Sequence, residues 1–148
     1  MDLYVDGERA LLPRYPEEGC LVPKEVENKS LEFYDGSKWF IPKDSDLDGI
    51  ENVEECLISF THYWVDEHTP IERYDKETKK ITMKYRSRMS VYYDESDDCP
   101  SIMEYYFENV AECFSKPNQW YLDKKEGILY YLPKIQRRQF IILKFMHL

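Results

Sequence analysis

The sequence predicts an all-β domain, a small barrel or sandwich-like fold of short antiparallel hairpins. Three observations carry that reading. Apolar and β-branched residues alternate with a period of two in several short runs. Asp-Gly, proline and charged turn sequences separate those runs at fairly even spacing. The composition is rich in aromatics, with 13 tyrosines against 5 glycines and 43% hydrophobic residues in a chain of 148. That supplies enough apolar surface to offset the entropy of ordering one domain.

The elements follow in chain order. Leu3–Ala10 reads as two short strands about Asp6-Gly7, because both central residues of a type I′ turn need positive φ. Pro13 and Pro16 hold Arg14-Tyr15 extended. Leu31–Tyr34 and Lys38–Ile41, on either side of Asp35-Gly36, suggest a second hairpin. Cys56, Ile58, Phe60, His62 and Trp64 share one face of a strand, with His62 expected as a packed, hydrogen-bonded core residue. Ile71–Tyr74 and Lys80–Tyr85 form a third hairpin across the polar turn Asp75–Lys79, with Ile81, Met83 and Tyr85 facing inward. One short helix is expected near Asn109–Phe114. There Asn109 would cap, Glu112 stands three residues on, and Val110, Cys113 and Phe114 share a face. Gln119–Asp123 and Ile128–Pro133, with Gly127 at the turn, make the last hairpin. The tail Arg137–Met146 is apolar and basic, and reads either as one more strand or as a segment foreign to the domain.

Charge narrows the partners. The net charge is −9 and the pI near 4.9, and no Lys/Arg run exceeds two residues. Such a surface repels phosphate backbones and anionic lipid, so neither nucleic acid nor a membrane is expected as a partner. A neutral glycan meets no such repulsion. Met1-Asp2-Leu3-Tyr4 lacks the basic start and apolar stretch of a secretory leader, so either the protein stays inside, a cytoplasmic location being slightly favoured, or this Met is not the true start of the gene product. Cys20, Cys56, Cys99 and Cys113 form no C-x-x-C pair, so the common zinc and thioredoxin-like patterns are absent. Cys56 and Cys113 sit at apolar positions and are expected as core thiols. Counting leaves a disulfide open.

Asp44, Asp46, Asp48 and Glu55 match positions one, three, five and twelve of a calcium-binding loop, with Gly49 at the sharp turn. Three features oppose that match. Leu47 occupies a normally polar position, Glu51 stands where an apolar residue belongs, and the flanks read as strands instead of helices. An ordinary acidic turn is the expectation, with a calcium-stabilised domain as the alternative. Asp94–Asp98 likewise reads as a solvated acidic tip. No nucleophile elbow, metalloprotease helix, phosphate loop or other cofactor motif is present, and no catalytic residue is nominated. Trp39, Trp64 and Trp120 are the candidates for stacking on a sugar, set against ordinary packing roles.

The last hairpin, Trp120-Tyr121-Leu122-Asp123 followed by Gly127 and Leu129-Tyr130-Tyr131-Leu132-Pro133, resembles a motif of bacterial right-handed parallel β-helix proteins related to glycoside hydrolase family 141. Leu3–Ala10 followed by Arg14-Tyr15-Pro16 is similar to the start of that motif set, and Tyr105–Asn109 to a segment within it. Asp6 replaces the family's usual Asn, Pro13 its Ala, and Asn118-Gln119 its Gly-Glu. The match ends past Lys134. The resemblance implies that residues 1–16 lead into a β-rich insertion domain, 17–133, with 134–148 outside the match. It implies an accessory piece of a carbohydrate-active protein, not catalytic alone, whose partner is the remainder of a β-helix catalytic domain. The family's catalytic carboxylates lie on later coils and have no counterpart here. A free-standing carbohydrate-binding module stays open as the alternative.

Overall fold

The computed structural model describes residues 2–27, 35–62, 65–89 and 104–134, together with the backbone of 141–144. The described strands are β1 (Tyr4–Val5), β2 (Glu8–Arg9), β3 (Arg14–Tyr15), β4 (Glu25–Val26), β5 (Trp39–Ile41), β6 (Leu57–Thr61), β7 (Asp66–Asp75), β8 (Lys80–Met83), β9 (Glu104–Glu108), β10 (Trp120–Asp123), β11 (Ile128–Tyr131) and β12 (Ile141–Lys144). All the paired strands run antiparallel, so the predicted all-β class holds.

Seven strands make one sheet in the order β3-β9-β6-β7-β8-β5-β4, and the sheet curls until it meets itself. Leu21 exchanges both backbone hydrogen bonds with Tyr105 of β9, at 2.7 and 2.8 Å. Five residues later the same segment pairs Val26 with Phe40 of β5. The stretch from Leu21 to Val26 therefore spans from β9 to β5 and closes a small barrel. β7 makes the sharpest bend. Its first half pairs with β6, up to Pro70 opposite Leu57, and its second half pairs with β8 after a register shift between Ile71 and Arg73. A proline lacking a ladder donor, followed at once by a bulge, is how a strand turns a barrel corner.

Period-two alternation fills the interior. Ile58 and Phe60 of β6, Ile81 and Met83 of β8, Tyr105 and Phe107 of β9 and Phe40 of β5 are all fully buried. The ring of Phe40 lies 4.8 Å from Tyr105 and 5.9 Å from Phe60, edge-on in both pairs, a favoured aromatic geometry. His62 is buried on the same face, as expected.

A second, smaller core joins the two ends of the described chain. Ala10, Trp120, Leu129 and Tyr131 are buried there, with Leu3, Val5, Leu12 and Leu122 packed around them. The β1–β2 hairpin turns on Asp6 (φ 52°) and Gly7 (φ 81°), the left-handed pair that the sequence demanded. Gly127 (φ 66°) does the same service between β10 and β11, and the backbone of β12 pairs with β11.

Three expectations need correction. Both edges of β5 are occupied, by β4 and β8, so the hairpin expected between Leu31–Tyr34 and Lys38–Ile41 is not the pairing β5 makes. Leu31–Tyr34 itself lies outside the described residues. The short helix near Asn109–Phe114 is a single 3-10 turn, Ala111–Cys113, and Asn109 does not cap it. Asn109 has φ 60° and spends its amide on another strand. Tyr85 lies past the end of β8 and is 61% exposed, while Ile81 and Met83 point inward.

Candidate functional site

The acidic segment Asp44–Glu55 scatters its carboxylates. Its first part folds as successive turns because Leu47, Ile50 and Val53 are buried in the barrel core, which leaves the acids to alternate in and out. Asp46 turns inward and accepts hydrogen bonds from the Tyr105 hydroxyl (3.0 Å) and the Lys43 amide (3.1 Å). Asp44 is exposed, with Lys24 Nζ at 3.3 Å and Lys79 Nζ at 3.9 Å. Asp48 faces solvent. Glu55 accepts from the Tyr121 hydroxyl (3.3 Å) and the Lys124 amide (3.2 Å), holding the β10–β11 hairpin against the barrel. Among the described residues no cluster of three His, Cys, Asp or Glu side chains could hold a metal ion. Burial and the neighbouring Asp46 push the Tyr105 hydroxyl far above the ordinary phenol range, so it stays a donor.

The three tryptophans have different fates. Trp120 is 3% exposed, and an indole so enclosed offers no face to a sugar ring. Trp64 lies outside the described residues. Trp39 projects outward from β5, half-buried, with Lys80 Nζ 4.3 Å from its ring centre. Neighbouring Phe40 points into the barrel, which fixes the outward direction of Trp39.

Period-two reading passed over the polar outer face of the β7-β6-β9 ladder. The register sets Ser59 opposite His68 on one side and Tyr106 on the other. The Ser59 hydroxyl donates to Glu108 and lies 2.6 Å from His68 Nδ1, and His68 Nδ1 is 2.9 Å from the same Glu108 oxygen. Burial alone would raise Glu108, but the bonds from His68 and Ser59 hold its carboxyl below the usual range. Its bond to Glu108 raises His68 against the opposing effect of burial. Arg14 stacks over the Tyr106 ring at 3.9 Å.

These residue types invite comparison with a Ser-His-Glu triad, and the geometry differs from one. In a triad the serine and the acid use opposite imidazole nitrogens. Here both meet Nδ1, and the Ser59 proton goes to the carboxylate. Ser59 is 1% exposed, so no substrate carbonyl reaches it. The trio ties three strands together. Glu27 and Asp75 are likewise held below the usual carboxylate range, Glu27 against the opposing effect of burial by its bonds from Lys38 and Arg86, and Asp75 by the amides of its own turn.

The chain leaves and rejoins the second core side by side. Leu11 and Gln119 form a parallel bridge. The Leu11 amide donates to Asn118 (2.9 Å) and the Trp120 amide to Leu11 (2.9 Å). The Asn118 side chain adds a 3.1 Å bond to the Arg9 carbonyl. Between these neighbours the chain builds the whole barrel. Asn109 then locks barrel to hairpin, its amide bonded to both backbone groups of Leu122.

The architecture is thus a closed antiparallel barrel carried between two chain segments that meet at a single parallel bridge. A solved structure described as a glycoside hydrolase shares this fold, with a TM-score of 0.58 and 15% identity over 93% of this chain. The chain spans only 24% of that protein, and at this identity the likeness is one of fold. No protein-family model matches the sequence, and no curated protein matches it.

Proposed function

We propose that this chain is an accessory insertion domain of a carbohydrate-active, β-helix glycoside-hydrolase-like protein, contributing no catalytic carboxylates of its own. The observation that carries the reading is the parallel bridge between Leu11 and Gln119. An antiparallel bridge there would close a simple hairpin. A parallel one means that the chain returns beside its starting point heading the same way, which requires a long crossover. Successive coils of a parallel β-helix have that relationship, and the barrel occupies the place of the crossover. The fold shared with about a quarter of a glycoside hydrolase agrees with it.

In this reading residues 1–16 lead in from the parent, 17–133 form the inserted domain together with the returning hairpin, and the partner is the rest of the β-helix. The test is the nucleotide sequence on both sides of the reading frame, translated in all frames. β-helix repeats on both sides are expected. Intact, unrelated genes on both sides would overturn the proposal and favour a free-standing carbohydrate-binding module, for which the outward-facing Trp39 is the specific support.

A further inference from the structure

Three Asp-Gly pairs stand in the sequence, Asp6-Gly7, Asp35-Gly36 and Asp48-Gly49, and the fold treats each differently. An aspartate before a glycine can react with its own backbone. The glycine nitrogen attacks the side-chain carboxyl carbon, because no side chain on that next residue shields the approach. The attack needs an amide that is free to turn and is held by no hydrogen bond.

Asp6-Gly7 is the tip of the β1–β2 hairpin. The pairs Val5–Glu8 and Tyr4–Arg9 grip it from both sides, and Asp6 and Gly7 keep the φ values of 52° and 81° that the turn imposes. Asp35-Gly36 is locked by packing. Gly36 is buried against the backbone of Ser87, and its carbonyl accepts a bond from Arg86 at 2.6 Å. The Ser37 amide that follows donates to Ser87 Oγ, and the Ser37 carbonyl accepts the Ser87 amide, each at 2.8 Å.

Asp48-Gly49 has neither restraint. Both residues are exposed, and the space where a Gly49 Cβ would stand is open. Turn bonds close on either side, from the Asp48 amide to Ser45 (3.2 Å) and from the Ile50 amide to Leu47 (3.1 Å). The Gly49 amide between them donates no hydrogen bond among the described residues. Nor is the Asp48 carboxylate in an ion pair among them.

We infer that Asp48-Gly49 is where the folded chain converts aspartate to isoaspartate, and that the change loosens the barrel core. In the first step a C–N bond forms between the Gly49 nitrogen and the Asp48 side-chain carboxyl carbon. The carboxyl hydroxyl leaves with the amide proton as water, and a succinimide ring remains. Water then adds back and opens the ring. Breaking the bond from nitrogen to the side-chain carbonyl carbon restores aspartate. Breaking the bond to the backbone carbonyl carbon leaves the chain running through the side chain, one methylene longer. The residues on either side, Leu47 and Ile50, are both buried in the core. A longer backbone between them unseats at least one, since a close-packed interior has little room to adjust.

The test is peptide mapping of the whole folded chain after long incubation at neutral pH and body temperature, with electron-transfer fragmentation to tell isoaspartate from aspartate. Isoaspartate is expected at position 48, several-fold above positions 6 and 35, with a succinimide one water lighter at the same place. The same incubation in urea should bring the three positions level. The urea midpoint of the native chain should fall as isoaspartate accumulates, and that of Asp48→Ser should hold. Isoaspartate concentrated at position 6 or 35, spread evenly in the folded chain or missing from all three positions overturns the site. A preference for position 48 that persists in urea overturns the part played by the fold. A midpoint that falls equally in Asp48→Ser, or stays constant as isoaspartate accumulates, overturns the loosening of the core.

Discussion

Asn109 holds Leu122 by both of its backbone groups: its Nδ2 donates to the Leu122 carbonyl and its Oδ1 accepts the Leu122 amide, each at 2.9 Å. The side chain thereby acts as a short piece of strand, pairing the barrel with β10. The same Nδ2 is also 3.2 Å from the Glu55 carbonyl. Asparagine is suited twice over, because φ is 60° here and it tolerates the left-handed region better than most residues. Asn109→Ala should cost about 2–4 kcal/mol in urea unfolding, since buried backbone groups lose their partners. Asn109→Gly relieves the backbone without restoring the amide, so it should recover only a small part.

Gly36 carries the second prediction. A Cβ built there would lie 1.6 Å from the Ser87 carbonyl oxygen, and the two segments are stitched by bonds between Ser37 and Ser87. The obstruction is backbone, which cannot rotate away. Gly36→Ala should therefore destabilise by about 3 kcal/mol or more, measured by the urea midpoint. Gly49 has open space around its Cβ position and should cost less, the loss there coming from its φ of 88°.

The calcium question has a direct readout. Asp46 is engaged by Tyr105 and Lys43, Asp44 by Lys24 and Lys79, and Glu55 by Tyr121 and Lys124. The melting temperature should be the same in chelator and in millimolar calcium. Tyr105→Phe should cost about 1–2 kcal/mol, because it leaves a buried Asp46 oxygen short of a donor.

Stability should follow pH through His68 and Glu108. His68 is raised from 6.5, so its contribution is complete below that value and is lost as pH rises through the higher folded pKa. Glu108 is lowered from 4.5, so its contribution is complete above that value and is lost as pH falls through the lower one. The melting-temperature gap between the native chain and His68→Gln should be widest between the ordinary carboxylate and histidine values, 4.5 and 6.5, and shrink as pH rises through the raised folded pKa of His68. A gap unchanged from pH 5 to pH 9 would contradict the pairing.

What the sequence revealed was local. The Asp6-Gly7 and Gly127 turns were legible because their backbone angles restrict the residue type, and the inward faces of β6 and β8 because burial imposes period two. Barrel closure was not legible: Leu21 meets Tyr105, and β5 meets β4 and β8, through pairings that no local pattern encodes. Asn109 shows the limit well. Its amide does bond backbone, as the helix-cap reading supposed, but the backbone is that of Leu122 on another strand. The Ser59, His68 and Glu108 cluster draws on three strands, and its polar residues sit on the face that alternation assigns to solvent. Trp120 looked like a candidate for sugar stacking because residue type says nothing of what covers a ring.

The most direct measurement on the claim of an accessory domain is sugar release by the purified chain across neutral and acidic glycans between about pH 4 and 8, the range in which carboxylates and histidine change charge. The expected result is no release above the buffer rate at any pH. Turnover that Glu108→Gln abolishes, with the fold intact by circular dichroism, would contradict it and make this domain an enzyme in its own right.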